Sequence, residues 1–461
     1  MLNGIWIFLV VVSLVAGAFS GHIGEVTTAS VEWAKKAVTL AIGLVGVMAF
    51  WLGMMRVARD AGILTSIARG LRPIMSRLFP DIPVDHPAMS AMIMNISANM
   101  LGLANAATPF GIKAMEELDK LNPQKGTATN AMCLFLAINT SNVSILPLGV
   151  MGIRAAVGSE NVAAIVPTTI LATVISTTVA IIAAKTLSKT MGRASNPGTL
   201  EVEHIESPDG SEEAIYTDDD TRQTQLEARE ARAARPPWKQ RLIWATIAAV
   251  GITLTVGLVR HILDPSTLQA SAEAAEEAAQ NGALDVLGDI TSAWILPLLI
   301  VTISLLGWAR GVRVYESLVA GAREGFDVAI RIIPYLVAIL VAVGMFSASG
   351  ALDLLISWVS PVVTPLGLPG EALPMAILRP LSGSGAFGIM AHALETYGPD
   401  SYVGYLVSTL QGSTETTFYV LAVYFGSVSI RKTRHALPAC LIADAAGVAG
   451  AIIAVKLLTP F

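Results

Sequence analysis

Apolar runs of near-bilayer length recur from one end of the chain to the other. They are Trp6–Phe19, Ala37–Met55, Ala131–Val150, Val162–Ala184, Ile243–Val259, Ala293–Trp308, Ile332–Phe346, Tyr402–Tyr424 and Leu437–Val455. A helical crossing takes ~20 residues, so the shorter runs recruit their flanks. In lipid every backbone polar group must be satisfied inside the protein, which leaves helices or closed barrels. Runs of this length select helices. Composition agrees: 53% of the residues are hydrophobic and 14% charged, against about 25% charged in soluble domains. The expected class is an all-α polytopic integral membrane protein whose first partner is the lipid bilayer. The formal charge of −5 sits mainly in loops, and nothing indicates a nucleic-acid partner.

Polar residues inside these runs are the functional candidates, because a charge at membrane depth costs at least ~2.5 kcal/mol and is kept where it faces protein or a wet cavity. The clearest patch is Gln411-Gly412-Ser413-Thr414-Glu415-Thr416-Thr417. A neutral counterpart, Asn139-Thr140-Ser141-Asn142, lies in the first half. Two further segments are too interrupted for plain crossings. Ala88–Gly111 carries Asn95, Ser97, Asn99, Asn105, Thr108 and Pro109; Ala372–Ala391 carries Arg379-Pro-Leu-Ser382-Gly-Ser384-Gly. Both are expected as broken or re-entrant helices, tolerated where they line a cavity or pack on protein. An ordinary kinked span is the bland alternative.

The chain divides by composition. Residues 1–187 form a first membrane unit, and 188–240 a charged linker with a helix expected over Gln223–Arg235. Residues 241–263 form a connecting transmembrane helix. Residues 264–289 form an extracytoplasmic loop with a surface helix over Ala272–Ala279, and 290–461 a second unit. Met1–Phe19 has no Lys or Arg ahead of its apolar run and is read as an uncleaved first helix. Arg56–Phe79 places Ile63, Leu64, Ile67, Leu71 and Ile74 at helical spacing among arginines, as in an interfacial amphipathic helix.

The units repeat in order: Gly62 aligns with Gly350, Gly111 with Gly388, and Asn139–Asn142 with Gly412–Glu415. Their charges oppose. Arg56, Arg59, Arg69, Arg72, Arg77, Lys113, Lys120 and Lys125 flank the first broken element, whereas the matching region of the second has only Arg379. The turn before the last helix reverses this, with Arg431, Lys432 and Arg434 in the second unit and only Arg154 in the first. By the positive-inside rule the units are oppositely oriented, the extra span 243–259 supplying the flip. The expected architecture is a pair of inverted repeats in the inner (plasma) membrane with a cytoplasmic amino terminus.

Substrate-binding candidates are Asn99, Asn105, Asn139, Ser141, Asn142, Arg379, Ser382, Ser384, Gln411, Ser413, Thr414 and Glu415, with Glu415 and Asp444 as coupling-ion candidates. Arg379 either pairs with Glu415 at membrane depth or snorkels to the headgroups. Glu415 is a proton carrier, a sodium ligand, a substrate acceptor, or half of a structural ion pair. Gly383, Gly385 and Gly388 either free the backbone for a break or let helices pack closely. Cys133 and Cys440 read as small buried residues; no disulfide, metal site or cofactor is expected. Gly383, Gly385 and Gly388 fit G-x-G-x-x-G, a weak lone match with no strand or ribose-binding acid around it, and no G-x-x-x-x-G-K-[ST], H-E-x-x-H, G-x-S-x-G or C-x-x-C motif is present, so the chain is read as a non-enzyme.

Ser97-Ala-Asn-Met-Leu-Gly-Leu-Ala-Asn-Ala-Ala-Thr-Pro-Phe-Gly111, with Asn139-Thr-Ser-Asn142, resembles spore maturation protein A. Ile333-Pro-Tyr-Leu336, Arg379-Pro-Leu-Ser-Gly383, Tyr397-Gly-Pro-Asp400 and Gln411-Gly-Ser-Thr-Glu-Thr-Thr417 resemble spore maturation protein B. The chain looks like a fusion of the two. The resemblance implies a nucleoside-recognition, or Gate, domain in each half and an inner-membrane location. Two functions are expected from different classes: a transporter of a small polar or anionic solute, nucleoside-like by family label, or a non-transporting receptor or scaffold of a spore-maturation or envelope complex. Either reading leaves room for a homo-oligomer.

Overall fold

A computed structural model describes residues 2–84, 86–102, 104–191, 236–263 and 283–459. The helices expected over Gln223–Arg235 and Ala272–Ala279, like most of the linker, lie outside the described residues.

The first half runs α1 (Leu2–Ser20), α2 (Ile23–Asp60), α3 (Ile63–Leu78), α4 (Pro87–Met100), α5 (Ala104–Lys120), α6 (Asn130–Ser141), α7 (Leu148–Ala156) and α8 (Ile165–Met191). After α9 (Pro237–Leu263) and α10 (Ala283–Arg310) the same order returns: α11 (Val314–Ala348), α12 (Ala351–Val363), α13 (Leu373–Leu378), α14 (Gly383–Tyr397), α15 (Tyr402–Ser413), α16 (Thr417–Ser427) and α17 (Ala436–Leu458). Helix α10 begins at Ala283, within the segment read from sequence as loop. The protein is an all-α, multi-pass membrane protein. Among the described residues α2, α8, α9 and α17 are long and apolar enough to cross a bilayer. The bent pair Leu336–Ala348 and Ala351–Leu366, meeting at 77°, makes a fifth crossing if counted as one. Only 6% of the span in α9 is buried, and α9 packs on α10; it is a peripheral crossing with a largely uncovered surface.

Equivalent helices pair with each other. Along α2 and α11, Gly53 meets Leu318, Ala49 meets Gly325 and Trp33 meets Gly344, so contacts descend one helix as they climb the other. Along α8 and α17, Ser176 Oγ donates to the Ala443 carbonyl at 2.8 Å and Ala172 meets Gly450, again antiparallel. The aligned glycines Gly62 and Gly350 occupy the same structural place, the left-handed junction that turns a long helix into a short amphipathic one, with φ of 70° and 75°. Only glycine takes that conformation without strain.

Neither unit owns a core. One hydrophobic cluster joins Leu40, Leu44, Met54 and Met151 of the first half to Leu340, Met390, Leu406 and Val455 of the second. The other joins Met89, Met115 and Phe135 to Tyr424, Phe425 and Cys440. Loop contacts fasten both ends. The turn after α16 docks on the turn after α5, through Ala128 N–H to Lys432 O at 2.9 Å and Arg431 N–H to Gly126 O at 2.9 Å. The turn after α7 docks on the turn after α14 around Arg154 and Asp400.

Candidate functional site

Two apolar stretches read as continuous spans are broken. The run Ala131–Val150 splits into α6 and α7, and Tyr402–Tyr424 splits into α15 and α16. In each case the polar patch is the end of a half-helix. Ser141 and Ser413 are the last helical residues, Asn142 and Thr414 the first beyond. A break leaves up to four carbonyls and four N–H groups without helical partners, and the hydroxyl and amide side chains there meet part of that need.

The two interrupted elements expected from sequence are also broken, after Met100 between α4 and α5 and at 379–382 between α13 and α14. Within each unit the two breaks touch through one backbone bond at equivalent places. Ile145 N–H donates to Met100 O at 2.9 Å, and Phe418 N–H donates to Pro380 O at 3.2 Å. Gly102 permits the first crossing, because a Cβ there would lie 2.4 Å from the Leu146 oxygen. Glycines 383, 385 and 388 have no positive φ. They serve close approach, a Cβ on Gly388 falling 2.4 Å from Ile339 and one on Gly383 2.8 Å from Thr416 Oγ1.

The breaks of the two units then meet each other. Glu415 N–H donates to Thr140 O at 2.7 Å, and Gly412 packs against Pro147 and Thr169. On the first unit's side the chemistry is neutral. Asn99 Nδ2 donates to Asn139 Oδ1 at 3.1 Å, and Asn95 Nδ2 to the Tyr424 hydroxyl at 3.1 Å. Tyr424 belongs to the other unit. On the second unit's side it is charged. Arg379, 6% exposed, donates to the Thr414 carbonyl and to Thr416 Oγ1 at 3.2 Å, and its guanidinium lies 3.7 Å from Glu415. Asp444 in α17 accepts from Thr417 Oγ1 at 2.7 Å. Several buried atoms here have no hydrogen-bond partner: Asn95 Oδ1, Gln411 Oε1, Asp444 Oδ1, Thr169 Oγ1 and Arg379 Nε. A buried polar atom without a partner costs about 1–3 kcal/mol, so a cluster of them calls for explanation by what occupies the site.

Of the residues singled out from sequence, Asn99, Asn139, Arg379, Thr414, Glu415 and Asp444 join this constellation through the contacts above. Gln411 and Asn142 are buried beside it. Ser141 and Ser413 are buried but turn their hydroxyls back onto Ala137 and Leu410 carbonyls. Ser382 is the N-cap of α14, accepting from Gly385 N–H at 3.0 Å, which is a structural role. Ser384 is exposed and outside these contacts. The side chain of Asn105 lies outside the described residues.

Sequence reasoning missed four things. Tyr424 bridges the units at the asparagine cluster; a lone phenol in an apolar run was its signal, since a buried hydroxyl needs a partner. The break after Asn142 had a signal in Pro147, where a helix would have to restart. Arg154, counted as a solvated turn charge, is instead 0% exposed. It donates to Pro399 O at 2.6 Å and to Asp400 Oδ1 at 2.7 Å, and stacks over Tyr405 at 4.7 Å. Arg56 and Arg59, also counted as flanking charges, are largely buried around Glu324 of α11, with Arg56 at 2.6 Å.

The Gate family model, described as nucleoside recognition, matches residues 41–189 and 329–431, which together are more than half of the chain and include all four breaks. Spore maturation protein A of Bacillus subtilis (strain 168) is 46% identical over 182 residues, 40% of this chain and 93% of that protein. Spore maturation protein B of the same organism is 47% identical over 164 residues, 36% of this chain and 92% of that protein. No solved structure gives a significant match. Full-length similarity to two separate proteins on one polypeptide is the pattern of a fusion, and the chain belongs to the Gate, or nucleoside recognition, family.

Proposed function

We propose that this membrane protein is a transporter-like, non-enzymatic carrier. It binds a small polar or anionic solute, nucleoside-like by family name, between two inverted Gate repeats. The observation that carries the reading is the meeting of four helix breaks around a buried arginine and several unpartnered polar atoms. Discontinuous helices near the midplane are where secondary transporters place substrate and coupling ions. Support for inversion comes from the antiparallel contacts of α2 with α11 and of α8 with α17. A related pair of helices packed antiparallel about a two-fold axis requires that axis to lie across them. The arginines near α3 and the turn after α16 support a cytoplasmic amino terminus in the inner membrane.

In this reading Arg379, Asn99, Asn139 and Asn142 recognise the solute. Glu415, whose side chain is 39% exposed, and Asp444 carry the coupling proton or sodium. The test is ligand-induced thermal stabilisation of the purified protein with nucleosides, nucleobases, dipicolinate and small organic acids, with and without sodium at two pH values. A ligand of the native state raises its apparent stability by about 2.7 kcal/mol at a hundredfold excess over Kd. The expected result is a hit that Glu415→Gln makes insensitive to sodium or pH. Silence across the panel from monodisperse protein would overturn the carrier in favour of a receptor or scaffold.

A further inference from the structure

The two units make the same loop contact twice. The turns after α5 and after α14 hold equivalent places in the two units, and so do the turns after α7 and after α16. Each turn of the first kind docks on a turn of the second kind in the other unit. Helices α8 and α17 run antiparallel, and each begins at one of these docked turns. The two contacts therefore lie at opposite ends of that helix pair.

They are built differently. Where α17 begins, the bonds are spread along backbone. Ala128 N–H donates to Lys432 O at 2.9 Å, and the N–H groups of Arg431 and Lys432 donate to Gly126 O at 2.9 and 3.0 Å. Removing any one side chain leaves these bonds in place. Where α8 begins, the joint runs through two side chains. Arg154 donates across the units to Pro399 O at 2.6 Å, Asp400 Oδ1 at 2.7 Å and Ser408 Oγ at 3.4 Å. Asp400 also accepts from Ser159 Oγ at 2.7 Å and Glu160 N–H at 2.9 Å.

A joint carried by two side chains releases all its bonds together once Asp400 leaves. Two arrangements are available to it. Arg154 is fully buried, but it has partners in its own unit as well, Ser159 Oγ at 3.0 Å and Asn161 O at 3.3 Å, so the guanidinium is not left bare by the departure. The Asp400 side chain is 33% exposed and is met by water on leaving. The clasp also stands over the helix breaks. Ser408 precedes Ser413, the last residue of α15, by ~7.5 Å along the helix axis. Between them lie the Thr168–Thr409 hydroxyl pair at 2.8 Å and the contact of Gly412 with Pro147.

We propose that the Arg154–Asp400 clasp is a gate to the helix breaks. It opens as one unit and parts α7 from α15, while the backbone joint at the opposite end stays made. Switching elements work through such discrete repacking of an interface. The inference rests on the carrier reading and says at which end that carrier opens.

The experiment is thiol labelling of the full-length protein in nanodiscs, which leave both faces open to the reagent. Cys133→Ala and Cys440→Ala remove the native thiols, and Ser413→Cys puts one at the break. The probe is a membrane-impermeant maleimide, with no solute added. Slow labelling is expected, rising with ionic strength because salt screens the partly exposed pair. Asp400→Asn should speed it about tenfold and remove the salt dependence, the difference between a charge-assisted and a neutral hydrogen bond. Asp400 is partly exposed, so this variant should keep the elution profile of its parent. Arg434→Gln removes the side-chain bond of the opposite joint, to Ala128 O at 3.1 Å, and should leave the rate unchanged. A rate unchanged in Asp400→Asn, or raised equally by Arg434→Gln, would overturn the gate. So would a thiol that stays unlabelled in every variant. Labelling needs no solute, so the two readings fail separately. A stabilising ligand with labelling unmoved by Asp400→Asn removes the gate alone; faster labelling beside a silent ligand panel removes the carrier alone.

Discussion

The two pairs of broken helices share a backbone plan and differ in what fills it. At the α6–α7 break the nearby side chains are amides: Asn95, Asn99, Asn139 and Asn142. At the α15–α16 break they are Arg379, Glu415 and Asp444. The backbone bonds Ile145 to Met100 and Phe418 to Pro380 are equivalent, so the difference is chemical and not architectural. A break that closes on amides is electrically silent and stays the same across pH. A break that closes on acids and an arginine carries charge, and in the proposed reading that charge is where an ion or a proton acts.

Arg379 is the sharpest place to break the contrast. Arg379→Met would leave Asp444, Glu415 and the Thr414 carbonyl facing one another without their cation. Its loss leaves the buried Asp444 carboxylate and the Thr414 carbonyl without the buried guanidinium that serves them; an uncompensated buried charge costs about 3–5 kcal/mol, and a comparable fall in unfolding free energy in detergent is expected. A loss below ~1 kcal/mol, the range of a solvated pair, would mean that charge does not hold the second break. Asn139→Ala tests the neutral side. It removes the acceptor for Asn99 and leaves that buried amide open, for an expected loss of about 1–3 kcal/mol. If it proves as severe as Arg379→Met, the two breaks are not energetically distinct. Glu415→Gln should alter stability by less than ~1 kcal/mol, because the pair is long and partly solvated, while removing the response to sodium or pH.

A pH-dependent test belongs to the loop contacts at the two ends. The turn after α16 contains His435, buried with no partner on either ring nitrogen. Burial, and then the Arg434 charge, push its imidazole down to about 4. Its folded value lies below the ordinary ~6.5, so the unfolded chain binds the proton first. Its contribution is present above that ordinary value and is lost as pH falls toward 4. His435→Gln is therefore expected to flatten the fall in melting temperature between pH 7 and pH 5. An unchanged slope would place the acid sensitivity elsewhere.

Much of this was legible in the residues. Gly62 and Gly350 aligned in sequence and share one junction, because only glycine fits there. The interrupted segments around Asn99 and Arg379 announced their breaks through Pro, Gly and polar residues. The breaks in α6–α7 and α15–α16 were hidden, since hydropathy averages over a window and a few polar residues do not stop an apolar run from reading as one crossing. Arg154 was hidden for a different reason. Counting charges in turns cannot tell a solvated arginine from one folded under the opposite unit, where Pro399 and Asp400, distant in sequence, supply its partners. Ser384 went the other way: a polar residue in the right motif, on the wrong side of its helix.

Because both hydrophobic cores draw on both halves, the two halves share one interior. Joining them on one chain raises the effective concentration of each half for the other. Two polypeptides cut between α8 and α9 would still have one shared interior to find, and neither could bury its own apolar faces alone. In such a molecule joining the halves on one chain sets their stoichiometry at one to one.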